Sequence, residues 1–352
     1  MKIKNMKLGN RQIGLSHPPF IIAEMSGNHN QSLDRALEIV EAAANSGAHA
    51  LKLQTYTADT MTLNISEREF VIKDPKSLWN GRNLYELYKE AHTPWEWHKP
   101  IFERAQKLGM IAFSTPFDET AVDFLESINA PFYKVASFEM TDLPLIRRIA
   151  KTKKSIIVST GMATLSELEE TVKTLRESGC EDFVLLKCTS TYPATPANTN
   201  IITIPHLRQM FKCEVGLSDH TMGVGVSVAA VALGATVIEK HFTLRRADGG
   251  VDSSFSLEPH ELKSLVQETE RAWQSLGEIN YGPTTAEKGS LQFRRSLYIV
   301  RDLNAGQTIG AEDVRAIRPG HGLPPKFLGD VLGKKAKQAV KRGTALQWDL
   351  FE

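Results

Sequence analysis

Eight short runs of apolar and β-branched residues, each followed by a loop and then a stretch with helical spacing, constrain the fold of this chain more than any other feature. They are FIIAEM (20–25), HALKLQT (49–55), MIAFSTPF (110–117), FYKVAS (132–137), SIIVST (155–160), FVLLKCTS (183–190), CEVGLSDH (213–220) and TVIEKHF (236–242). The runs show little polar alternation, as strands covered on both faces do. Between them lie helix signals. Leu33, Ala36, Leu37, Val40 and Ala44 recur at threes and fours before Gly47, and Thr164 with Glu167 spells a capping box ahead of Leu168, Val172 and Leu175. Strand and helix in alternation imply a parallel sheet.

Polar residues at or next to the end of each run, Glu24, Gln54, Thr115, Ser137, Thr160, Ser190, His220 and His241, recur about every 31 residues. That is the spacing of roughly 250 residues shared by eight βα units. An α/β fold, a (β/α)8 TIM barrel over residues 1–275, is therefore predicted in preference to a doubly wound open sheet, since the chain has no GxGxxG loop. The longest interval, from Gln54 to Thr115, carries an inserted βα unit at about 56–93, rich in charged and aromatic residues, which is expected to overhang the barrel mouth. Residues 276–290 are polar with Gly and Pro and read as a linker. Residues 291–352 have short β-like pieces and repeated Gly turns, and read as a small β-rich module near the size at which a core suffices on its own.

Lys and Arg exceed Asp and Glu by one, so no basic field points to nucleic acid or to a membrane surface. The basic stretch Lys334, Lys335, Lys337, Lys341 and Arg342 lacks interleaved aromatics and reads as a solvated face. Cys180, Cys188 and Cys213 have no CxxC spacing, the N-terminal stretch lacks the apolar segment of a leader, and no run approaches the roughly 18 apolar residues of a membrane span. A soluble, cytoplasmic protein is expected.

In a barrel the C-terminal strand ends converge on one mouth. Lys52, Lys134 and Lys187 fall there, and a buried lysine needs an anionic partner. Internal pairs with Glu24, Glu139 or Glu239 are one solution. An anionic ligand is the other, favoured by three lysines together and by the hydroxyls of Ser137, Ser159, Ser190 and Ser218, so that a substrate with phosphate and carboxylate groups is inferred. His220 and His241 end consecutive strands beside carboxylates and read as metal ligands, for Mn, Mg, Co or Zn without distinction. Glu24 either completes that shell or serves as acid or base. Cys188 reads as a small buried hydrophobe.

The motifs AEMSGNHN, ALKLQTY, FSTPFD, YKVASFEMTDLPLI, VSTGMATLSELE, KCTSTYPA, GLSDHT, IEKHFT and RPGHGL, in this order, resemble those of the sialic acid synthase family over essentially the whole chain. The C-terminal module is similar to that family's antifreeze-like (SAF) domain. Within the family, WNGRNLYELYKEAHTPWEWH is more similar to the pseudaminic branch than to the neuraminate branch. The resemblance implies a transferase that condenses phosphoenolpyruvate with an open-chain acylated amino sugar and water, releasing phosphate. For the pseudaminic branch the sugar is 2,4-diacetamido-2,4,6-trideoxy-altrose, the product a nonulosonic acid for cell-surface glycans and the glycosylation of flagellin. It further implies a divalent metal, most often Mn²⁺ with Mg²⁺ or Co²⁺ as substitutes, on His220 and His241. Phosphoenolpyruvate would lie on Lys52, Lys134, Ser137, Ser159 and Ser218, with Ser190 where the neuraminate branch has Asn. Glu24, Gln54, Thr115, Glu139, Tyr192 and Asp252 would surround the sugar, and Arg318 would come from the other subunit of a domain-swapped homodimer. The alternatives are a neuraminate or legionaminic acid synthase, a metal hydrolase using a histidine-bound water and, more remotely, a binding module.

Overall fold

The structure is a computed structural model that describes residues 6–352. Residues 1–5, at the head of the N-terminal stretch in which no leader is expected, lie outside the described residues. The chain divides into two units, Met1–Gly277 and Glu278–Glu352.

In the first unit a short antiparallel hairpin, β1 (Met6–Leu8) and β2 (Arg11–Ile13), precedes eight strands that correspond one to one with the eight predicted runs. These are β3 (Phe20–Glu24), β4 (Ala50–Thr55), β5 (Ile111–Pro116), β6 (Tyr133–Val135), β7 (Ile156–Ser159), β8 (Phe183–Cys188), β9 (Glu214–Ser218) and β10 (Val237–His241). All pair in parallel and close as β10-β3-β4-β5-β6-β7-β8-β9, a TIM barrel. Helices alternate with the strands because the segments between them carry the spacing and caps for it. Leu165–Glu177, for instance, opens on the Thr164–Glu167 capping box and buries Leu168, Val172 and Leu175.

The period of two along each strand decides which side chains reach the interior. Phe20 and Ile22 of β3, Ala50 of β4, Phe113 of β5, Ile157 of β7, Val184 and Leu186 of β8 and Val237 of β10 form an apolar lower layer, which Met6, Leu8 and Ile13 of the hairpin close from below. The alternate residues, such as Ile21, Leu51, Val158, Leu185 and Ile238, pack outward against the helices. Continuing the inner parity upward puts Glu24, Lys52, Gln54, Thr115, Lys134, Ser159, Cys188, Ser218, Glu239 and His241 in the upper layer.

That parity corrects the expectation for one lysine. Lys187 belongs to the outward set of β8, is half-buried, and donates from Nζ to the carbonyl of Cys188 at 2.7 Å and to Thr189 Oγ1 at 3.4 Å, so it requires no anionic ligand. Lys240, outward on β10, is likewise satisfied by Asp219 Oδ2 at 3.0 Å and by the carbonyls of Thr221 and Gly223. The 56–93 insertion also differs from the predicted βα unit. It contains short helices at Ala58–Met61 and Leu84–Ala91 and a turn at Arg68–Phe70, with a single Val71–Asn83 bridge in place of a strand.

The second unit has its own core, with Leu297, Ile299, Leu303, Val314, Leu346 and Phe351 at its centre. Its antiparallel pair, β11 (Ser296–Ile299) and β12 (Val314–Ile317), is extended by isolated bridges such as Tyr298–Ala345 and Leu303–Val340. Residues 276–290 are exposed throughout.

Candidate active site at the barrel mouth

The strand register brings the upper-layer charges into one network. Glu24 on β3 lies beside His241 on β10 and Lys52 on β4. It forms an ion pair with Lys52 and accepts from Gln54 Nε2 at 2.9 Å. Lys52 Nζ also reaches Thr115 Oγ1 at 3.3 Å and Glu239 Oε1 at 3.8 Å. Lys134 Nζ donates to the same Glu239 oxygen at 2.9 Å, and Ser218 Oγ donates to it at 3.2 Å. Burial alone would raise the Glu239 carboxyl, but Lys134 and Lys52 hold it well below the usual carboxylate range. Without substrate, then, the two inner lysines are balanced by two inner carboxylates, which is the internal-pair solution. The sequence marks Glu239 only as one possible partner. Its position two residues before His241, hence on the same face, is the signal that singles it out.

A second group of hydroxyls borders this network. Ser159 Oγ is buried without a partner. Ser137 Oγ accepts from the backbone N–H of Gly161 at 3.1 Å. A Cβ at Gly161 would collide with Ser190 Oγ and stand 2.7 Å from Ser137 Oγ, so glycine is required there for the β6, β7 and β8 loops to close together. Gly161, in VSTGMATL, carries no turn signature that would mark it in the sequence. Cys188 also differs from its expected role. It is buried but faces inward, 3.9 Å from His220 Nδ1. Although burial acts to raise it, the His220 ring, Ser137 and Lys134 bring the Cys188 thiol down to about 7.

The two histidines stand side by side, ring centres 5.4 Å apart, under Tyr192, whose ring is 4.5 Å from that of His220. His220 Nδ1 lies 2.9 Å from the carbonyl of Thr189, which can only accept, so Nδ1 carries a hydrogen; although burial acts to lower it, Cys188, the Thr189 carbonyl and Glu239 raise His220 above the usual histidine range, and Nε2 offers a lone pair once the ring gives up its second proton. His241 Nδ1 is buried with no hydrogen-bond partner, and the nearest acid, Asp252 Oδ2, is 3.9 Å away. Burial, reinforced by His220 and the surrounding lysines, holds His241 well below the usual histidine range, so it is neutral. Two adjacent imidazoles, one pinned through Nδ1 and one with an orphaned nitrogen, offer nitrogen ligands that fit a divalent cation. No group of three His, Cys, Asp or Glu among the described residues closes around an ion, so an ion held by the two rings would have to draw its other ligands from elsewhere, such as water or substrate.

Two further carboxyls line the mouth. Asp252 accepts from Ser26 Oγ, yet burial pushes its carboxyl up to about 6. Burial pushes Glu139, in the loop after β6, up to about 7, and its Oε2 has no partner. Of the sequence-predicted site residues only Arg318 lies outside the first unit. It follows β12 in the second unit and is exposed.

The arrangement is a polar, charge-balanced mouth above an apolar barrel floor, with a histidine pair, two lysines and a carboxyl that titrates near neutrality. Comparison with known proteins identifies the family. Residues 39–281 match the model of the NeuB family and residues 294–352 that of the SAF domain. The pseudaminic acid synthase of Campylobacter jejuni is 45% identical over 99% of this chain and 100% of its own length. That of Helicobacter pylori is 43% identical over 95% of this chain and 98% of its own. The crystal structure of the N-acetylneuraminic acid synthetase of Leptospira borgpetersenii in complex with citrate superposes with a TM-score of 0.73 at 33% identity, covering 83% of this chain and 96% of that one.

Proposed function

The chain belongs to the NeuB family, and from that premise we propose that it is a pseudaminic acid synthase, a transferase that condenses phosphoenolpyruvate with open-chain 2,4-diacetamido-2,4,6-trideoxy-altrose and water to give pseudaminic acid and phosphate. The observation that carries this reading is the convergence of Lys52, Lys134 and the adjacent pair His220 and His241 on one mouth, in a chain alike over nearly its full length to synthases of that sugar acid.

A divalent ion on His220 and His241, Mn²⁺ before Mg²⁺ or Co²⁺, would supply Lewis-acid polarisation of the sugar aldehyde. Lys52 and Lys134 hold the phosphate and carboxylate of phosphoenolpyruvate, with donors from Ser137, Ser159, Ser190 and Ser218, so that its C3 faces the sugar C1. Gln54, Thr115, Tyr192 and Asp252 orient the sugar. After the C1–C3 bond forms, Glu24 or Glu139 takes a proton from the water that adds at C2. Glu139, with its carboxyl near 7, is poised for that exchange at neutral pH. The C2–O bond to phosphate then breaks, and the two lysines offset the charge that the leaving phosphate gathers. The enzyme acts on these small molecules in the cytoplasm, without nucleic acid or membrane; no helix among the described residues is long and apolar enough to cross a membrane.

The test is phosphate release from phosphoenolpyruvate with Mn²⁺, with and without chelator, offering the trideoxy-diacetamido-altrose, its manno isomer and N-acetylmannosamine in parallel. Turnover of the altro sugar alone is expected. Turnover of another sugar only would keep the chemistry and overturn the branch, and no release with any sugar from folded, metal-loaded protein would return the hydrolase.

Arg318 is assigned to the sugar site of a second copy, making the working unit a domain-swapped homodimer. In support, Arg318 is exposed and makes no ion pair among the described residues. Co-expressing Arg318→Ala with His241→Ala, each inactive or nearly so alone, is expected to restore about a quarter of wild-type activity, since half of randomly paired dimers carry one intact composite site. Purified mixed dimers without activity would place Arg318 in its own subunit's site, and an Arg318→Ala variant active by itself would place it in none.

A further inference from the structure

The mechanism above leaves most of the 56–93 insertion without a role, yet the insertion shares a cavity of about 340 Å³ with the mouth. One side of that cavity is polar and belongs to the site already described, with Gln54, Glu139, His241 and Asp252. The other side is apolar and comes from the insertion: Met61, Ile72, Trp79, Leu84 and Leu87, with Phe117 nearby. Ile72, Trp79 and Leu84 are only half-buried. Apolar side chains left facing an open cavity beside a polar site are what a ligand with apolar groups would cover.

The wall is held in place. Ile72 N–H donates to the carbonyl of Arg82 at 3.0 Å, and Gly81 N–H donates to the carbonyl of Ile72 at 2.7 Å, closing the 72–82 turn. Asn83 then caps the helix Leu84–Ala91 by accepting from Glu86 N–H at 3.1 Å. Trp79 is fixed at both ends of its ring system. Its Nε1 donates to the carbonyl of Val251 at 3.1 Å, next to Asp252, and its ring centre lies 5.9 Å from that of Tyr192. A wall preformed in this way discriminates by shape and polarity, because a hydroxyl set against it loses its water and gains no partner.

We propose that Ile72, Trp79 and Leu84 form an apolar subsite that reads the methyl-bearing substituents of the sugar, the deoxy C6 methyl and an acetamido methyl, and that this subsite gives the enzyme its preference for deoxy, N-acylated sugars over hydroxylated ones. The proposal rests on the synthase reading and adds to it the residues that choose the sugar. They lie on the insertion, on a different part of the chain from the lysines and histidines that serve the reaction itself.

The experiment compares the trideoxy-diacetamido-altrose with its 6-hydroxy counterpart in steady-state kinetics at saturating phosphoenolpyruvate and Mn²⁺. The wild-type chain is expected to prefer the 6-deoxy sugar by about 10- to 100-fold in kcat/KM, the range that an apolar pocket supplies for one such group. Trp79→Ala is expected to raise the KM of the 6-deoxy sugar about tenfold and shrink the preference to a few-fold, with the KM for phosphoenolpyruvate and the affinity for Mn²⁺, measured by calorimetry, unchanged. Ile72→Ala, which keeps both backbone bonds of the turn, carries the same expectation on a smaller scale should Trp79→Ala fail to fold. An unchanged preference in the folded variants, or a loss shared equally by both sugars or by phosphoenolpyruvate, would overturn the subsite. Failure of the wild-type chain to turn over any sugar would instead overturn the synthase reading.

Discussion

His241→Ala is expected to lower phosphate release from phosphoenolpyruvate by about 10³-fold or more while leaving the barrel folded, the scale that follows when several kcal/mol of charge stabilisation at the aldehyde are lost. The backbone reasons for a retained fold are local. His241 ends β10, where the N–H of Phe242 donates to the carbonyl of Glu24 at 2.8 Å and the carbonyl of His241 accepts from Leu257 N–H at 2.8 Å, and neither bond uses the imidazole. The side chain itself has a buried nitrogen with no partner, so its removal relieves an unsatisfied group. Mn²⁺ binding, followed by calorimetry or by the spectrum of the bound ion, should fall with activity, while far-ultraviolet circular dichroism and the unfolding midpoint stay near those of the wild type. Full turnover in the variant would remove His241 from the metal shell, and unfolding would show that the ring is needed for packing against Tyr192 and Phe255.

The barrel was legible because its signal is repetition. Eight apolar runs at near-constant spacing, each followed by helix caps, admit few other closed arrangements. Polarity at the strand ends also found the mouth, since only a convergent site accounts for Lys52, Lys134, His220 and His241 all lying at the ends of otherwise apolar strands. The sequence could not supply the inner and outer parity of each strand. Lys187 and Lys134 look alike in LLKCTS and YKVAS, yet one residue of register sends Lys187 toward a backbone carbonyl and Lys134 into the barrel. The same parity hid Glu239 behind its neighbour Lys240. Apolar residues above the mouth were hidden for another reason. Ile72, Trp79 and Leu84 are spaced by a turn and a cap and follow no period, and only the closed insertion brings them to one wall.

Glu239 also sets the largest expected effect on stability. Glu239→Leu removes the one acid that pairs with Lys134 among the described residues, leaving an ammonium group 2% exposed within the barrel and taking a contact from Lys52, which keeps Glu24. An uncompensated charge at such a site costs about 3–5 kcal/mol, so the urea midpoint of the barrel's unfolding transition is expected to fall sharply. If the loss comes from the orphaned charge, Lys134→Met combined with Glu239→Leu should recover most of it, because an apolar pair of similar volume replaces a buried ion pair at little net cost. Activity should not return, since Lys134 is then missing from the phosphoenolpyruvate site. Stability restored without turnover would show that the buried pair is retained for substrate binding at no gain to the fold. A double variant as unstable as Glu239→Leu alone would instead assign the loss to Glu239's bond with Ser218 and its packing in the upper layer.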